Sequence, residues 1–195
     1  NFFRAYGFWH WGEGLQTVLF TWYMAFHADL TATEIGFYQA LVLSPFLVFT
    51  IFGGAMTDKV GAGLSYVAST SIFASILISY GFLDLQFGFV PELFFLYCVS
   101  AGIVSAVSNP AIDTFIPGAT GQSIQDNSLL AATAHNIAKL TGNITGLLLP
   151  FLSATGGFVV NGLLMAISVV FLRAHRQKGH GQAMNVPGQA GLRHG

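Results

Sequence analysis

Two stretches of this chain, Ile35 to Thr57 and Val60 to Leu83, run for 23 and 24 residues without a single Asp, Glu, Lys or Arg. A helix rises about 1.5 Å per residue, so about 20 apolar residues cross the hydrocarbon of a bilayer. Leu93 to Ile112 adds 20 more such residues, and Asn127 to Leu172 is 46 residues interrupted only by Lys139. Ala5 to Ala28 carries one charge, Glu13. Charged residues make up 8% of the chain, where a soluble domain carries about 25%. That is too little polar surface to clothe a water-facing core. With 53% hydrophobic residues and a mean hydropathy of +0.64, the chain reads as an integral membrane protein.

The runs are continuous, as in Leu163 to Leu172, rather than alternating in polarity over about 10 residues as barrel strands do. They predict an all-α protein with six spans, at about 5–28, 35–57, 61–83, 93–112, 127–150 and 155–172. The turn between the last two is expected at Pro150–Gly157, where a proline and paired glycines interrupt the helix. Arg4, Lys59, Arg173, Arg176, Lys178 and Arg193 then fall on one side of the membrane. The opposite loops hold Asp29, Glu34, Asp84 and Glu92 and no basic residue. By the positive-inside rule both termini are cytoplasmic. Residues 179–195 have little apolar content and read as a disordered tail or the start of a linker.

Several functions are excluded. A net charge of −1 with no basic block argues against nucleic-acid partners. The single Cys98, read as a small buried thiol, rules out a disulfide framework and a multi-cysteine metal site. His180 and His194 stand too far apart in the tail for a metal centre, and no metal or cofactor is expected. There is no nucleotide-binding glycine loop, no G-x-S-x-G elbow and no H-E-x-x-H pair, so an enzyme is the least supported class.

The segment after the second span reads Gly54-Ala55-Met56-Thr57-Asp58-Lys59-Val60-Gly61. A glycine there permits close helix approach, Gly61 permits a tight turn, and Asp58 is placed to cap the next helix. This G-x-x-x-D-K-x-G run resembles the signature loop of the major facilitator superfamily, at the position where that family carries it. Ala62-Gly63 replace the basic residues that usually follow. A second stretch, Ser108 to Pro150, is similar to the enterobactin-exporter and macrolide-efflux branch of the superfamily. Its matching positions are Asn109-Pro110-Ala111, Phe115-Ile116-Pro117, Asn127, Asn136, Ala138, Lys139 and Gly142, and Gly12-Glu13-Gly14 in the first span also resembles that branch. The resemblance covers residues 1 to about 175 and implies the N-terminal six-helix half of a twelve-helix secondary transporter. Asn-Pro-Ala also occurs in aquaporins, but those channels need two copies and this chain has one.

Glu13 lies about 12 Å into the first span, where a carboxylate costs about 2.5–3.5 kcal/mol on insertion scales. His10 precedes it by three residues and Gln16 and Thr17 follow by three and four, so all four share a helix face. Two roles are open for Glu13: loading and releasing a coupling proton with His10 as modulator, or a structural ion pair with Lys139. In the superfamily the first and fifth helices are neighbours, which is what brings Lys139 within reach. On the fifth span His135, Lys139, Gly142 and Gly146 form one stripe, with Gly142 and Gly146 read as a packing motif. Asn136 and Asn143 lie on an adjoining face as cavity-lining candidates alongside Gln16. Trp9, Trp11, Trp22, Tyr23 and Tyr97 could stack on an aromatic substrate, although interface belts explain most such residues in membrane proteins.

The resemblance implies proton-coupled export of a small amphiphilic or hydrophobic molecule by alternating access, in a plasma membrane (a bacterial inner membrane). The partners expected are the lipid bilayer, the small-molecule substrate, protons and a second six-helix half. That half lies either in a continuing chain or in another copy, since six helices enclose no complete path in this fold. The competing readings are a six-helix channel and a non-transporting membrane scaffold.

Overall fold

The computed structural model describes residues 2–183, excepting the side chains of residues 174–183. Arg176, Lys178, Arg193, His180 and His194, which entered the charge and metal arguments, have their side chains outside the described residues. No strand occurs among the described residues, and the helices follow the charge-free runs. They are α1 (Phe2–Trp22), α2 (Ala32–Val60), α3 (Ala62–Phe87), α4 (Pro91–Asp113), α5 (Ile124–Thr145) and α6 (Leu149–Ala183). Residues 179–183 of the expected tail therefore continue α6.

Helix ends follow local chemistry. Thr31 caps α2 in a reciprocal box with Glu34: its side chain accepts the Glu34 N–H, and Glu34 accepts the Thr31 N–H at 2.8 Å. Ser123 caps α5 beside Asp126, and Pro91 opens α4 at a position where its missing N–H leaves no bond unmade. α2 and α3 each stop at a glycine with positive φ, Gly61 at 94° and Gly88 at 68°, a backbone region in which a side chain is strained.

Two expectations about these ends are corrected and one is met. The run Gly54–Lys59 is not a turn but the last turns of α2, because nothing before Gly61 breaks the helix. Asp58 is exposed and does not cap α3, whose N-cap is Gly61 without a side-chain bond. The break in the last apolar run falls at Ser153, inside the expected Pro150–Gly157 stretch, where φ of 64° and ψ of 168° are non-helical; Pro150 itself sits in the first turn of α6.

Among the described residues, four segments are long and apolar enough to cross a membrane: Ala32–Val60, Ala62–Phe87, Pro91–Gly118 and Ile124–Arg173. This is a multi-pass membrane protein. α1, expected as the first span, is not among the four, because it carries Arg4, His10, Glu13 and Gln16. It is instead the helix around which α5 and α6 pack, and Phe2, Trp9, Leu15 and Leu19 are fully enclosed.

The packing is regular. α1 lies on α5 and α6, α4 lies on α2 and α3, and α3 lies on α6. Exchanging α1–α3 for α4–α6 maps this set of neighbours onto itself. Each of three interfaces is made close by one glycine from each side. A Cβ on Gly14 would strike the Lys139 carbonyl of α5, and one on Gly142 would strike the Trp11 carbonyl of α1. Gly53 of α2 meets the Ala106 carbonyl, and Gly102 of α4 meets the Val42 carbonyl. Gly81 of α3 lies against Thr155 and Phe158, and Gly162 of α6 against Ala74 and Ile78. Small residues let helix backbones touch where lipid supplies no hydrophobic drive. The close helix approach falls to Gly53, just before the Gly54–Gly61 run, whereas a Cβ on Gly54 would meet nothing within 4 Å.

Candidate functional site

α5 runs parallel to α1, and this register decides what faces what. His135 lies beside His10, Lys139 beside Glu13 and Gly14, Gly142 beside Trp11 and Leu15, and Gly146 beside Val18. Both glycines of the Gly142/Gly146 motif contact α1.

Glu13 is the centre of the polar residues on α1. Its Oε2 is 2.8 Å from His10 Nδ1, and its Oε1 accepts from Lys139 Nζ at 3.3 Å. The side chains of Glu13 and Lys139 keep 32% and 37% of their exposure, so the pair is not sealed off. The His10 ring is buried between Tyr6 and His135, with centroids 4.3 and 4.1 Å away. His10 Nε2 is buried and has no hydrogen-bond partner.

Three recesses meet at Glu13. One of about 330 Å³ is lined by Glu13, Gln16, Thr17 and Phe20 of α1 with Gln39 of α2 and Ser105 of α4. A second, of about 210 Å³, lies deeper between Glu13, Gln16, Trp9, Phe73, Asn109 and Met165. The third, of about 150 Å³, is the most polar and is bounded by Tyr6, His10, Glu13, Asn109, Asp113 and His135. A larger groove of about 510 Å³ between α3 and α4 does not include Glu13.

Gln16 ties three helices together. Its side-chain nitrogen donates to the Tyr97 hydroxyl of α4, and its oxygen accepts from Asn161 of α6. Thr17 donates back to the Glu13 carbonyl at 3.0 Å. Of the sequence candidates, the fold therefore brings together His10, Glu13, Gln16, His135 and Lys139. Asn136 and Asn143 lie apart: both are exposed on α5 and border none of the three recesses. Gly54, Asp58, Lys59 and Gly61 stand at the C-terminal end of α2 and its cap, away from Glu13. Trp9, Tyr23 and Tyr97 are interior, at 2%, 0% and 3% exposure.

A second polar cluster was not legible as one. Asp84, expected in a loop, is 4% exposed in the last turn of α3. It accepts from the Tyr23 hydroxyl at 2.5 Å and lies 3.1 Å from His27 Nε2, while Tyr23 and Tyr80 hydroxyls are 2.7 Å apart. A π-turn at Tyr23–His27 ends α1 here and presents both residues to Asp84. The rings of Phe89, Phe94 and Phe158 pack against Tyr23. The acidic side chain was visible in the sequence; the π-turn that buries it was not.

Comparison with protein-family models, with curated proteins and with solved structures finds no match to this chain.

Proposed function

We propose that this chain is the six-helix half of a secondary transporter of the major-facilitator type, with Glu13 as its proton-coupling group. The observation that carries the reading is the position of Glu13. An ionisable carboxylate stands well inside a helix enclosed by the bundle, at the junction of three recesses. Its charge is shared between an imidazole and an ammonium. Ionisable groups at such depth mark ion or substrate pathways by default. Glu13 can exchange partners without leaving its cavity, which is what a coupling group needs: it holds Lys139 when ionised and releases it when protonated.

The packing supports the architecture. Six alternating helices whose neighbours are preserved on exchanging α1–α3 for α4–α6 are expected of two three-helix repeats with inverted topology. The 50-residue segment Ile124–Arg173 would be about 75 Å long as one helix, more than twice the hydrocarbon thickness. Its break at Ser153 divides it into two passes, and α1 completes six. α1, protected by α5 and α6, crosses despite its polar residues. The exposed apolar side chains of α2, including Leu43, Leu47, Ile51 and Phe52, face lipid or the second half.

The substrate is a small amphiphile seated in the recess of about 330 Å³, where Glu13, Gln16 and Gln39 supply polar contacts and Phe20 and Leu43 apolar ones. The membrane is the plasma membrane and the direction is export. The test is flux in proteoliposomes containing the protein as its gene encodes it. A panel of amphiphilic dyes should be moved against their gradient when the lumen and bath differ in pH, and a protonophore should stop this. Passive flux unaffected by the protonophore would identify a channel instead, and no flux of any dye a scaffold.

A further inference from the structure

We propose that His10, Glu13 and His135 form a binding site for one divalent transition-metal cation of the zinc and cobalt type. The proposal stands on the geometry of the three side chains and does not depend on the transport reading. Each offers one ligand atom, and these atoms lie within 4.8 Å of one another. The residues come from two helices held in register by Gly14 and Gly142, so the cluster is fixed by backbone contact and not by mobile loops.

Two imidazoles and a carboxylate are nitrogen and oxygen donors of the kind that hold zinc, cobalt and iron(II), whereas calcium and magnesium prefer oxygen alone. A second observation points to a ligand. His10 is 6% exposed, and its Nε2 is buried without any hydrogen-bond partner. A buried imidazole nitrogen left unpaired carries a desolvation penalty, which a cation bound at Nε2 removes.

The recess of about 150 Å³ beside the three residues also carries Asp113 and Asn109, whose oxygens extend the donor set. The recess holds two carboxylates, Glu13 and Asp113, and Lys139 reaches only Glu13, at 3.3 Å. Lys139 now neutralises Glu13 but makes no use of either imidazole. A dication neutralises the carboxylate and takes the imidazoles as well, displacing Lys139 toward the exposed side of α5. The metal and the lysine therefore compete for Glu13.

The experiment is a Co²⁺ titration of the purified, chelator-treated full chain in detergent. His175, His180 and His194 are replaced by Gln to remove background binding. One Co²⁺ per chain should bind, develop visible d–d absorption of nitrogen and oxygen ligation, and be displaced by Zn²⁺. His135→Ala and Glu13→Gln should each abolish the absorption while the chain keeps its elution volume. Lys139→Met should do the opposite and shift the titration to lower Co²⁺, because it removes the competing cation. Failure of the parent protein to bind Co²⁺ would overturn the proposal, as would binding that survives His135→Ala or weakens in Lys139→Met. The gain expected from Lys139→Met keeps the test decisive if a loss variant fails to fold.

Discussion

Gly142→Ala and Gly54→Ala should change stability in opposite directions, although both place a methyl group on a helical glycine. At Gly142 the new Cβ would fall 2.6 Å from the Leu15 nitrogen and 2.9 Å from the Gly14 Cα, and closer still to the Trp11 carbonyl oxygen. All three are backbone atoms, so no side chain can swing aside. The helices must part by roughly 1 Å, enough to forfeit a quarter to a half of the contact attraction along the seam. Overpacking of this kind costs about 1–3 kcal/mol. Removing a helical glycine returns about 0.5–1 kcal/mol, which leaves Gly142→Ala destabilised by about 1–2 kcal/mol. At Gly54 nothing lies within 4 Å, so only the propensity gain of about 0.5–1 kcal/mol applies. For a chain of this size 1 kcal/mol moves Tm by about 2–4 °C. Thermal unfolding in detergent, followed by the loss of the monodisperse elution peak, should show Gly142→Ala lowered by about 2–8 °C and Gly54→Ala raised by about 1–4 °C. Equal shifts in the same direction would refute the claim that Gly142 holds α1 against α5.

Other perturbations have equally defined outcomes. Tyr23→Phe removes the hydroxyl that lies between Tyr80 and Asp84 and leaves a buried carboxylate oxygen short of a donor. It should lower stability by about 1.5–3 kcal/mol, the range for hydrogen bonds to charged groups, visible as a lower melting temperature. Gln16→Leu breaks the links to Tyr97 and Asn161. It should cost about 1–2 kcal/mol for two net hydrogen bonds, and a melting curve unchanged from the parent would contradict the bridging role. Cysteines placed at Asp29 and Glu92 should react with an impermeant maleimide from one side of the membrane, and cysteines at Lys59 and Gln122 from the other. The native Cys98 is fully buried and gives little background.

The helices were legible because charge-free runs of about 20 residues have one economical solution in a bilayer. Their ends were less so. A stretch rich in glycine and threonine such as Gly54–Lys59 reads as a turn, yet helix continues until a residue with positive φ, Gly61, stops it. The polar residues of α1 were legible through their three- and four-residue spacing, and the structure places four of the chemistry-bearing candidates, His10, Glu13, His135 and Lys139, in one cluster. The reciprocal glycines were not, since nothing in spacing tells which residue on a distant helix each one meets. Gly53 and Gly54 are adjacent and chemically identical, and only the rotation of α2 against α4 separates them. Asp84 misled for a related reason. A carboxylate near the end of an apolar run reads as a loop residue until a π-turn elsewhere brings two donors to it.

The most direct measurement compares active accumulation with exchange in Glu13→Gln. If Glu13 takes up the coupling proton, as proposed, proteoliposomes carrying the variant should fail to accumulate solute under an imposed pH gradient. They should still exchange labelled for unlabelled solute without a gradient, because Gln16, Gln39 and Phe20 still line the recess. Accumulation at the rate of the parent protein would contradict the assignment of Glu13 as the coupling group.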